Sequence, residues 1–500
     1  MLISAAPATL ARAAVATAAA AAVLLGLGAG SQAQADSAVA PSSGSVTVTG
    51  AGWGHGKGMS QWGAYGAASK GLSYSEILSF YYTGTTLDTL ADGNTIRVWI
   101  SADNDNGLHF RPVKGLAVTD SAGKKLTLPY GSKYTNWRIS RSGSKRVLYY
   151  RNTSGKYVTY ANKLSSTRVW SVANSSTGTV KLAMPDGSTR TYRGKLVARF
   201  SGSGLKTVNY LTMESYLRSV VPAEMPGSWS AEALKAQAVA ARTYAAKLRS
   251  AVSSSAIYDL CDTSACQVYK GTSSEYGATD KAVSATKDKV VEYKGQLALT
   301  MFSSSNGGWS APGGSDYPYL KAKADPYDGV KRDQSWSVTL SSSKVQAAYP
   351  SIGSLKSVQV TDRDGYGTFG GRVDDLKITG SKGSVTVSGG SFKSKFGLKE
   401  RLFKVVGGTL PSSATATASG TATPTPTPTA TTATPTATST PTVNLSGAVL
   451  KAYQSLSKAD AATLGAPKSG VVTTSSGTYA DFALGRITCP TGKACVVSFG

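Results

Sequence analysis

One carboxylate, Glu224, stands on a tight connection between two prolines, in the run VPAEMP at 221–226. Because prolines restrict the backbone and Val221, Met225 and Trp229 are apolar, this carboxyl group is expected to be rigid and partly desolvated. Desolvation raises a carboxyl pKa toward neutrality, so that the group can donate a proton and later take one back. From the spacing alone, a surface carboxylate at the end of a helix is the simpler interpretation.

Two basic residues, Lys235 and Arg242, follow on the next predicted helix. They are seven residues apart, which is two helical turns, and both lie beside its apolar stripe. If they face the same cleft as Glu224, their charges lower its pKa and oppose desolvation. The sequence does not decide which effect is larger, and a solvated basic helix face is the simpler interpretation of both residues.

Histidine and cysteine are too scarce for most metal-centred or histidine-driven chemistry. The chain holds 2 His and 4 Cys, and the cysteines form two local pairs, Cys261 with Cys266 and Cys489 with Cys495. Two short-range disulfides are the simplest interpretation, and no metal or cofactor is predicted. Half of a zinc site is the alternative for the first pair. A cysteine peptidase using Cys261 or Cys266 is disfavoured, because paired cysteines in an exported chain oxidise.

The elements that must position these residues are mostly strands in the first half of the chain. Between residues 45 and 210, Val, Thr and Tyr alternate with polar residues in short runs broken by Gly, Asn and Asp. The clearest of these runs are at 45–49, 96–100 and 147–150. Strand patterns return at 289–293, 296–302, 357–360 and 384–388.

Two amphipathic helices are predicted between these strand regions. Apolar residues at helical spacing predict a short helix over 213–221, ended by Pro222. A second, alanine-rich helix follows over 231–248, capped by Ser228 or Ser230. The predicted fold class is α+β: a β-rich catalytic domain with an embedded pair of amphipathic helices, plus a small C-terminal module.

The first 35 residues predict the compartment. Arg12 precedes an apolar run at 13–30, and small residues at 31–35 are typical of a cleavage site, so residues 1–35 are interpreted as a signal peptide. An uncleaved membrane anchor is the alternative. No other stretch is comparably long and apolar, so no transmembrane segment is expected after cleavage. We therefore expect a secreted protein, soluble or peripherally attached; with the charge and the resemblance described below, the expected location is extracellular and cell-wall-associated.

The net charge points to anionic partners outside the cell. The chain has 53 Lys+Arg against 28 Asp+Glu, a formal charge of +25. These basic residues are scattered rather than clustered, which disfavours nucleic acid as a partner. Anionic wall polymers are the partners that this charge favours in a secreted protein.

A low-complexity segment divides the chain into two predicted domains. Residues 411–442 are almost purely Thr, Ala, Pro and Ser, without charge or large apolar side chains. Such a composition cannot bury a core and predicts an extended linker. It separates a large domain at 36–410 from a small module at 443–500.

Two long motifs resemble the signature of the SpoIID/LytB family, which covers stage II sporulation protein D and the amidase enhancer LytB. They are LTMESYLRSVVPAEMP at 211–226 and EALKAQAVAARTY at 232–244. Shorter pieces match in the family's order: CQVY at 266–269, FSSSNGG at 302–308, YL at 319–320, DP at 325–326, GRV at 371–373 and FGL at 396–398. The resemblance covers about 190–406, together with GWGHGKGMSQWGA at 52–64.

The sequence departs from the family pattern in two ways. The motif at 52–64 usually closes the family's domain, but here it opens the mature chain, as though the domain were circularly permuted, and a β-rich insert follows at about 85–190. The motif's glycines indicate backbone freedom or close ligand approach around His55, although a tight turn with a solvated His explains them equally well. Some family members resemble zinc carriers, but no His stands beside Cys261 and Cys266, which favours a disulfide.

The resemblance implies an exported lytic transglycosylase that cuts peptidoglycan glycan strands with one catalytic glutamate, here Glu224, and leaves 1,6-anhydro-muramyl ends. No cofactor is implied. Lys235 and Arg242 match positions tied to activity in the family, and His55 is a further candidate for substrate binding. Asn306 and Trp309 follow the serine run and are candidate groove residues, with a core position an equal interpretation for Trp309.

A non-catalytic wall-binding protein that enhances a peptidoglycan amidase is the alternative function, because the family name covers that role too. The module at 443–500 more weakly resembles one LGFP-type repeat, found in cell envelopes. On its long linker such a module would tether the large domain to the wall. A folded cap without affinity for the wall is the alternative.

Overall fold

The structure is a computed structural model of the chain. It describes residues 35–90, 95–409, 449, 452–453, 471–474, 477–482, 485–490 and 495–499. The chain divides into two compact units, residues 1–413 and 414–500, and each is described by itself. Apart from Ala35, the predicted signal peptide lies outside the described residues, and so does the predicted linker at 411–442.

The described part of the large unit mixes helices with many short strands, so the α+β, β-rich fold class is confirmed. Its helices are α1 (Gln61–Ser69), α2 (Tyr74–Tyr81), α3 (Met213–Glu224), α4 (Ala231–Ala251), α5 (Gly277–Ala285), α6 (Ser342–Ala348) and α7 (Gly389–Phe396). No described helix combines the length and the apolar character that a membrane crossing requires.

Two large sheets enclose the first hydrophobic core. One has the strand order β17 (Leu260–Cys261), β5 (Thr95–Trp99), β16 (Gly204–Thr212), β15 (Lys195–Ser201), β12 (Trp170–Asn174), β7 (Leu116–Asp120) and β8 (Lys125–Thr127). The other has the order β11 (Tyr157–Thr159), β10 (Lys145–Arg151), β9 (Asn136–Ser142), β6 (Gly107–Phe110), β13 (Thr179–Ala183) and β14 (Thr189–Arg193). Trp137 and Trp170 are buried between them, together with the apolar face of α3. The predicted insert at 85–190 therefore shares a sheet with β15, β16 and β17, and it shares the first core with α3.

The remaining strands of the large unit form smaller sheets. A five-stranded sheet has the order β26 (Ser384–Ser388), β25 (Val373–Gly380), β24 (Leu355–Arg363), β1 (Val39–Ala40) and β28 (Gly408–Thr409). Two three-stranded sheets have the orders β23 (Ser335–Ser341), β2 (Ser45–Ala51), β27 (Phe403–Val406) and β19 (Gln296–Leu297), β18 (Lys289–Tyr293), β4 (Thr86–Thr89). Two pairs complete the set, β20 (Phe302–Ser303) with β3 (Met59–Ser60) and β21 (Trp309–Ser310) with β22 (Lys323–Ala324).

The beginning and the end of the large unit lie side by side. In β1 and β28, Val39 is paired with Thr409, and in β2 and β27, Thr47 is paired with Val406. Both pairs are antiparallel, so the chain leaving β27 ends next to the start of β2, as the two arms of a hairpin would. A short turn would therefore be enough to connect the end of β27 to β2 and to the glycine-rich motif that follows β2.

The two helices around Glu224 differ from the prediction at one boundary. The expected end of the first helix at Pro222 is wrong, because α3 continues through Pro222 to Glu224. A proline in the last turn removes only one backbone hydrogen bond, and the Met225 amide still bonds to the Val221 carbonyl at 2.9 Å. The second helix begins after Ser230, but the Ser230 side chain makes no capping hydrogen bond.

The single strand predicted over 296–302 is also wrong. Only β19 and the first residue of β20 are strands there, since the intervening segment bonds to other partners. Thr300 Oγ1 donates to the Ala240 carbonyl at 2.7 Å, and the Leu299 amide donates to the Tyr319 hydroxyl at 2.6 Å. These contacts fix the segment to α4 and to Tyr319 instead of extending a ladder.

Most described residues of the small unit belong to one antiparallel sheet. Its strands, in order, are β29 (Val472–Thr474), β30 (Gly477–Phe482), β31 (Gly485–Pro490) and β32 (Val496–Phe499). Val449, Ala480 and Ile487 form its small core, and the predicted disulfide between Cys489 and Cys495 is confirmed.

Candidate active site

A cleft of about 560 Å³ opens at the end of α3, and Glu224 lies in its wall. Four parts of the chain build this cleft: the glycine-rich motif, the two central helices, the loop closed by the first disulfide, and the segment around β20. The lining residues are Trp53, Gly54, His55, Gln61, Glu224, Tyr244, Ser264, Ala265, Cys266, Val268, Met301, Phe302, Ser303 and Ser304. Glu224 is the one carboxylate among the described residues that line it.

Glu224 is half-buried, and its surroundings favour the protonated acid. Burial raises its pKa, while hydrogen bonds from the Gln61 side chain and the Val268 backbone lower it by less. The Gln61 Nε2 donates to Glu224 Oε2 at 3.4 Å. Among the described residues, the causes of this pKa shift include no lysine and no arginine. Desolvation is therefore the larger of the two opposing effects that the sequence left undecided.

Helix α3 places this carboxyl group by burying its other face. Met213, Tyr216, Leu217 and Val220 are fully buried in the first core, which anchors the helix along its length. Glu224 is the last residue of α3, where the backbone carbonyls form the negative end of the helix dipole. A negative charge at that end is unfavourable, so the position also disfavours ionisation of the carboxyl group.

Two side chains of the cleft, Gln61 and Tyr244, were not predicted. Gln61 is the first residue of α1, and the Ser60 hydroxyl caps this helix by accepting from the Gly63 amide at 3.0 Å. Burial and the neighbouring Glu224 charge raise the pKa of Tyr244, so its phenol stays protonated at neutral pH. Both residues stand inside the matched motifs, but only the packing of α1 and α4 around Glu224 identifies them.

The loop between Cys261 and Cys266 forms one wall of the cleft. These cysteines form the predicted disulfide, with a Cα–Cα distance of 5.5 Å, and Cys266 faces the cleft. Within the described residues, no group of three or more His, Cys, Asp and Glu side chains is arranged to hold a metal ion.

The glycine-rich motif forms the opposite wall. Gly56 has a φ of 69°, and a Cβ atom at this position would lie 2.0 Å from the buried Arg372 guanidinium. Gly58 has a φ of 66°, and its Cβ would lie 2.0 Å from the Met301 carbonyl oxygen. These glycines are therefore needed for close packing of the motif against the rest of the unit.

His55 also lines the cleft. Its side chain is solvent-accessible, and its Nδ1 accepts from the Lys57 amide at 3.0 Å. Although the residue reaches solvent, the protein packed around its ring, followed by the charges of Lys393 and Lys57, lowers the pKa of His55 to about 4. The imidazole is consequently neutral at physiological pH, and its substrate-binding role stays a prediction.

Lys235 and Arg242 are not brought to Glu224. Lys235 Nζ donates to Glu232 Oε1 at 2.7 Å, and Glu232 in turn accepts from the Tyr74 amide at 2.7 Å, which joins α4 to α2. Neither cation lines the cleft.

Arg242 is fully buried and is held by a two-point ion pair. Its Nε and Nη2 donate to the two carboxylate oxygens of Glu214 at 2.8 and 2.7 Å. It also donates to the carbonyl oxygens of Lys289 at 3.1 Å and Val283 at 3.3 Å. The geometry therefore supports a role in joining α4 to α3, α5 and β18, and the predicted substrate contact of both cations stays a prediction.

Asn306 and Trp309 also lie away from the cleft lining. Asn306 is fully buried and donates from Nδ2 to Asp325 Oδ2 at 2.7 Å. The Trp309 carbonyl accepts from Arg372 at 2.9 Å, and its ring packs against Gly367. Both residues hold the loop after β20 in place. Trp309 is half-buried, and the predicted substrate contact of both residues stays a prediction.

Three of the predicted site residues lie in a region that matches a known protein family. The profile of the SpoIID family, described as "Stage II sporulation protein", matches residues 201–293, which include Glu224, Lys235 and Arg242.

Three relatives are similar to parts of the chain. The "Amidase enhancer" of Bacillus subtilis (strain 168) is 38% identical over 170 residues, covering 33% of this chain and 21% of the relative. "Stage II sporulation protein D" of Bacillus amyloliquefaciens is 32% identical over 231 residues, covering 41% of this chain and 63% of the relative. The Bacillus subtilis (strain 168) protein of the same name is 38% identical over 144 residues, covering 25% and 41%. The chain thus spans less than two thirds of each of these relatives.

Proposed function

We propose that this chain is an exported lytic transglycosylase acting on the glycan strands of peptidoglycan. The proposal is supported by the match of residues 201–293 to the SpoIID family profile and by the similarity to proteins named stage II sporulation protein D and amidase enhancer. The observation that carries the proposal is Glu224, a desolvated carboxyl group in a cleft whose described lining offers no second carboxylate. Export and association with the wall rest on the predicted signal peptide and on the basic charge.

The chemistry fits a single carboxyl group. Glycosidases that use water or a covalent intermediate need two carboxylates, one of which activates water or attacks the anomeric carbon. A transglycosylase instead uses the C6 hydroxyl of the muramyl sugar itself as the nucleophile. One group that first gives and then accepts a proton is then sufficient.

The reaction proceeds in two proton transfers at Glu224. Its carboxyl proton moves to the glycosidic oxygen as the bond from that oxygen to the anomeric carbon of N-acetylmuramic acid breaks. The C6 oxygen then bonds to the anomeric carbon, and its hydroxyl proton returns to the Glu224 carboxylate. The products are a strand with a 1,6-anhydro-muramyl end and a strand with a free N-acetylglucosamine hydroxyl group, so no external reactant is consumed.

The neighbouring side chains suit this cycle. Gln61 donates a hydrogen bond to Glu224 Oε2, which helps to orient the carboxyl group. Tyr244 is a neutral hydrogen-bond donor in the same cleft. His55 is a neutral partner for sugar hydroxyl groups at the rim.

The test is digestion of purified peptidoglycan, intact and pre-treated with an amidase, followed by mass spectrometry of the soluble products. Residues 36–500 are expected to release anhydro-muramyl products, and Glu224→Gln should lower the rate by about 10²-fold or more. Glu292→Gln, which changes a half-buried glutamate on β18 outside the cleft, serves as the matched control. Equal release by the wild type and Glu224→Gln would remove the catalytic assignment.

A non-catalytic enhancer of a cell-wall amidase is the second candidate, because one similar protein is named an amidase enhancer. In that case neither the wild type nor Glu224→Gln releases products, yet both bind the peptidoglycan pellet and both accelerate a purified amidase. The small unit, proposed as an LGFP-like tether, is tested in the same pellet assay by deleting residues 443–500.

A further inference from the structure

A strip of partly exposed aromatic rings leads away from the proposed active site. Trp53 is 47% exposed and lines both the Glu224 cleft and a second, shallow groove that also includes Trp62. Beyond Trp62 the rings continue, since its centroid lies 4.7 Å from that of Trp229, and Trp229 stacks on Tyr65 at 4.6 Å with an interplanar angle of 8°. These four rings are called the aromatic strip.

Positive charges lie over these rings. Lys399 Nζ is 5.1 Å from the centroid of Trp53, and the Arg332 guanidinium carbon is 5.5 Å from that of Trp62. Lys331 Nζ lies 5.3 Å from the Tyr65 ring. Contacts between cations and aromatic faces are weak at exposed sites. A bound ligand can therefore place its sugar rings on these faces while its negative charges pair with the displaced cations.

These cations have no acidic partner to neutralise them. Among the described residues, no carboxylate forms an ion pair with Lys331, Arg332 or Lys399. The one acidic residue in the groove, Asp333, accepts from the amide and the hydroxyl of Ser335 at 2.9 and 2.7 Å. Burial and the charge of Arg332 lower the pKa of Lys399, so these two cations repel each other in the absence of an anion.

The strip is held firmly by the same motif that forms the cleft. The Trp62 amide donates to the Ser304 carbonyl at 3.0 Å, and Ser304 itself lines the cleft. Gln61, the neighbour of Trp62, contacts Glu224. A polymeric ligand that is bound in the cleft and extends past Trp53 therefore contacts rings and cations that are already in position.

We propose that the aromatic strip and its three cations bind the portion of a glycan strand next to the cleavage point, and that they select strands carrying carboxylates. The inference rests on the proposed function for the identity of the strand. Flat aromatic faces stack on the apolar faces of sugar rings, while Lys331, Arg332 and Lys399 pair with carboxylates of the strand. Two sources supply that carboxylate: the lactyl group of muramic acid and the stem peptide attached to it.

The test measures binding separately from catalysis, in full-length protein carrying Glu224→Gln. Three probes are titrated by tryptophan fluorescence: neutral oligomers of N-acetylglucosamine, glycan strands stripped of peptides by an amidase, and strands that keep their stem peptides. Stripped strands offer lactyl carboxylates alone, so the comparison of the last two identifies which carboxylate is bound.

Two variants separate stacking from charge. The pair Arg332→Gln and Lys399→Gln is expected to weaken binding of the carboxylate-bearing strands by about tenfold at low salt and to leave the neutral oligomers unaffected. Trp53→Ala is expected to weaken binding of all three probes by about tenfold. Lys344→Gln, which changes a cation over the Phe396 ring, and Tyr130→Ala, which changes an exposed ring, are the matched controls.

Unchanged binding in these variants, or an equal loss in the controls, would overturn the proposal. A uniform loss for neutral and charged probes in the charge variant would remove the selection for carboxylates. Thermal unfolding midpoints measured for every variant exclude loss of the fold as the cause. Failure of this inference is distinguishable from failure of the proposed function. If the strip binds strands but the wild-type protein does not cleave glycan, only the enzymatic assignment is overturned.

Discussion

The chemistry of Glu224 depends on its neighbours at the level of single residues. Its carboxyl group combines burial, a position at the negative end of α3, and hydrogen bonding from the Gln61 side chain and the Val268 backbone. The first two favour the protonated acid, and the third favours the carboxylate. Since a transglycosylase needs the acid at the start of the cycle, activity should fall as pH rises through the raised pKa of Glu224.

Gln61 provides a test of this balance. The hydrogen bond from Gln61 lowers the pKa of Glu224, so Gln61→Leu should raise that pKa and move the alkaline limb of the pH–rate profile to higher pH. The measurement is the rate of release of anhydro-muramyl products between pH 4 and pH 9. Gln296→Leu, an exposed glutamine on β19, is the control and should leave the limb in place. A shift of the limb to lower pH would contradict the assignment of Glu224 as the acid.

Helix α4 shows how two similar cations acquire different roles at the level of secondary structure elements. Lys235 lies on the solvent side and pairs with Glu232, whereas Arg242 lies on the buried side and pairs with Glu214. Exposed pairs contribute little to stability, while removing one partner of a buried pair leaves an uncompensated charge. Their sequence spacing gave no sign of this difference.

Unfolding measurements on two variants check that contrast. Arg242→Met is expected to lower the free energy of unfolding by about 3–5 kcal/mol, because Glu214 and two backbone carbonyls lose their donor. Lys235→Ala is expected to cost less than about 1 kcal/mol. Both are measured by urea denaturation together with glycan release. Loss of activity without loss of stability in either variant would instead restore its predicted contact with substrate.

The juxtaposed ends of the large unit are the main feature at the level of the whole molecule. The antiparallel pairs Val39 with Thr409 and Thr47 with Val406 bring the two ends within one strand spacing. The glycine-rich motif consequently reaches the Glu224 cleft although it is far from Glu224 in the sequence. The order of the motifs along the chain is therefore not what determines the site.

A permuted protein tests this conclusion. Residues 95–409 joined by a linker of about four residues to 36–90, and followed by 411–500, should fold and bind peptidoglycan as the parent does. The measurements are circular dichroism, thermal unfolding and pellet binding. A permutant opened between Gln237 and Ala238, inside α4, is the control and is expected not to fold. If the first permutant does not fold or does not bind peptidoglycan, the inference that both chain orders give the same fold is contradicted.

The sequence by itself determined the α+β class, the two disulfide pairs, Glu224 as the candidate acid and the family resemblance. Each of these depends on local spacing or on a contiguous motif, which a sequence displays directly. Helix boundaries were less certain, as Pro222 shows, because a proline is tolerated in a last helical turn.

Only the tertiary structure decided which side chains surround Glu224. Gln61 and Tyr244 line the cleft, whereas Arg242 and Asn306 are buried away from it. Helical spacing defines which residues share a face but not what that face packs against. The competition between desolvation and positive charge at Glu224 was likewise decided by packing, because an electrostatic effect depends on distances that only the folded chain sets.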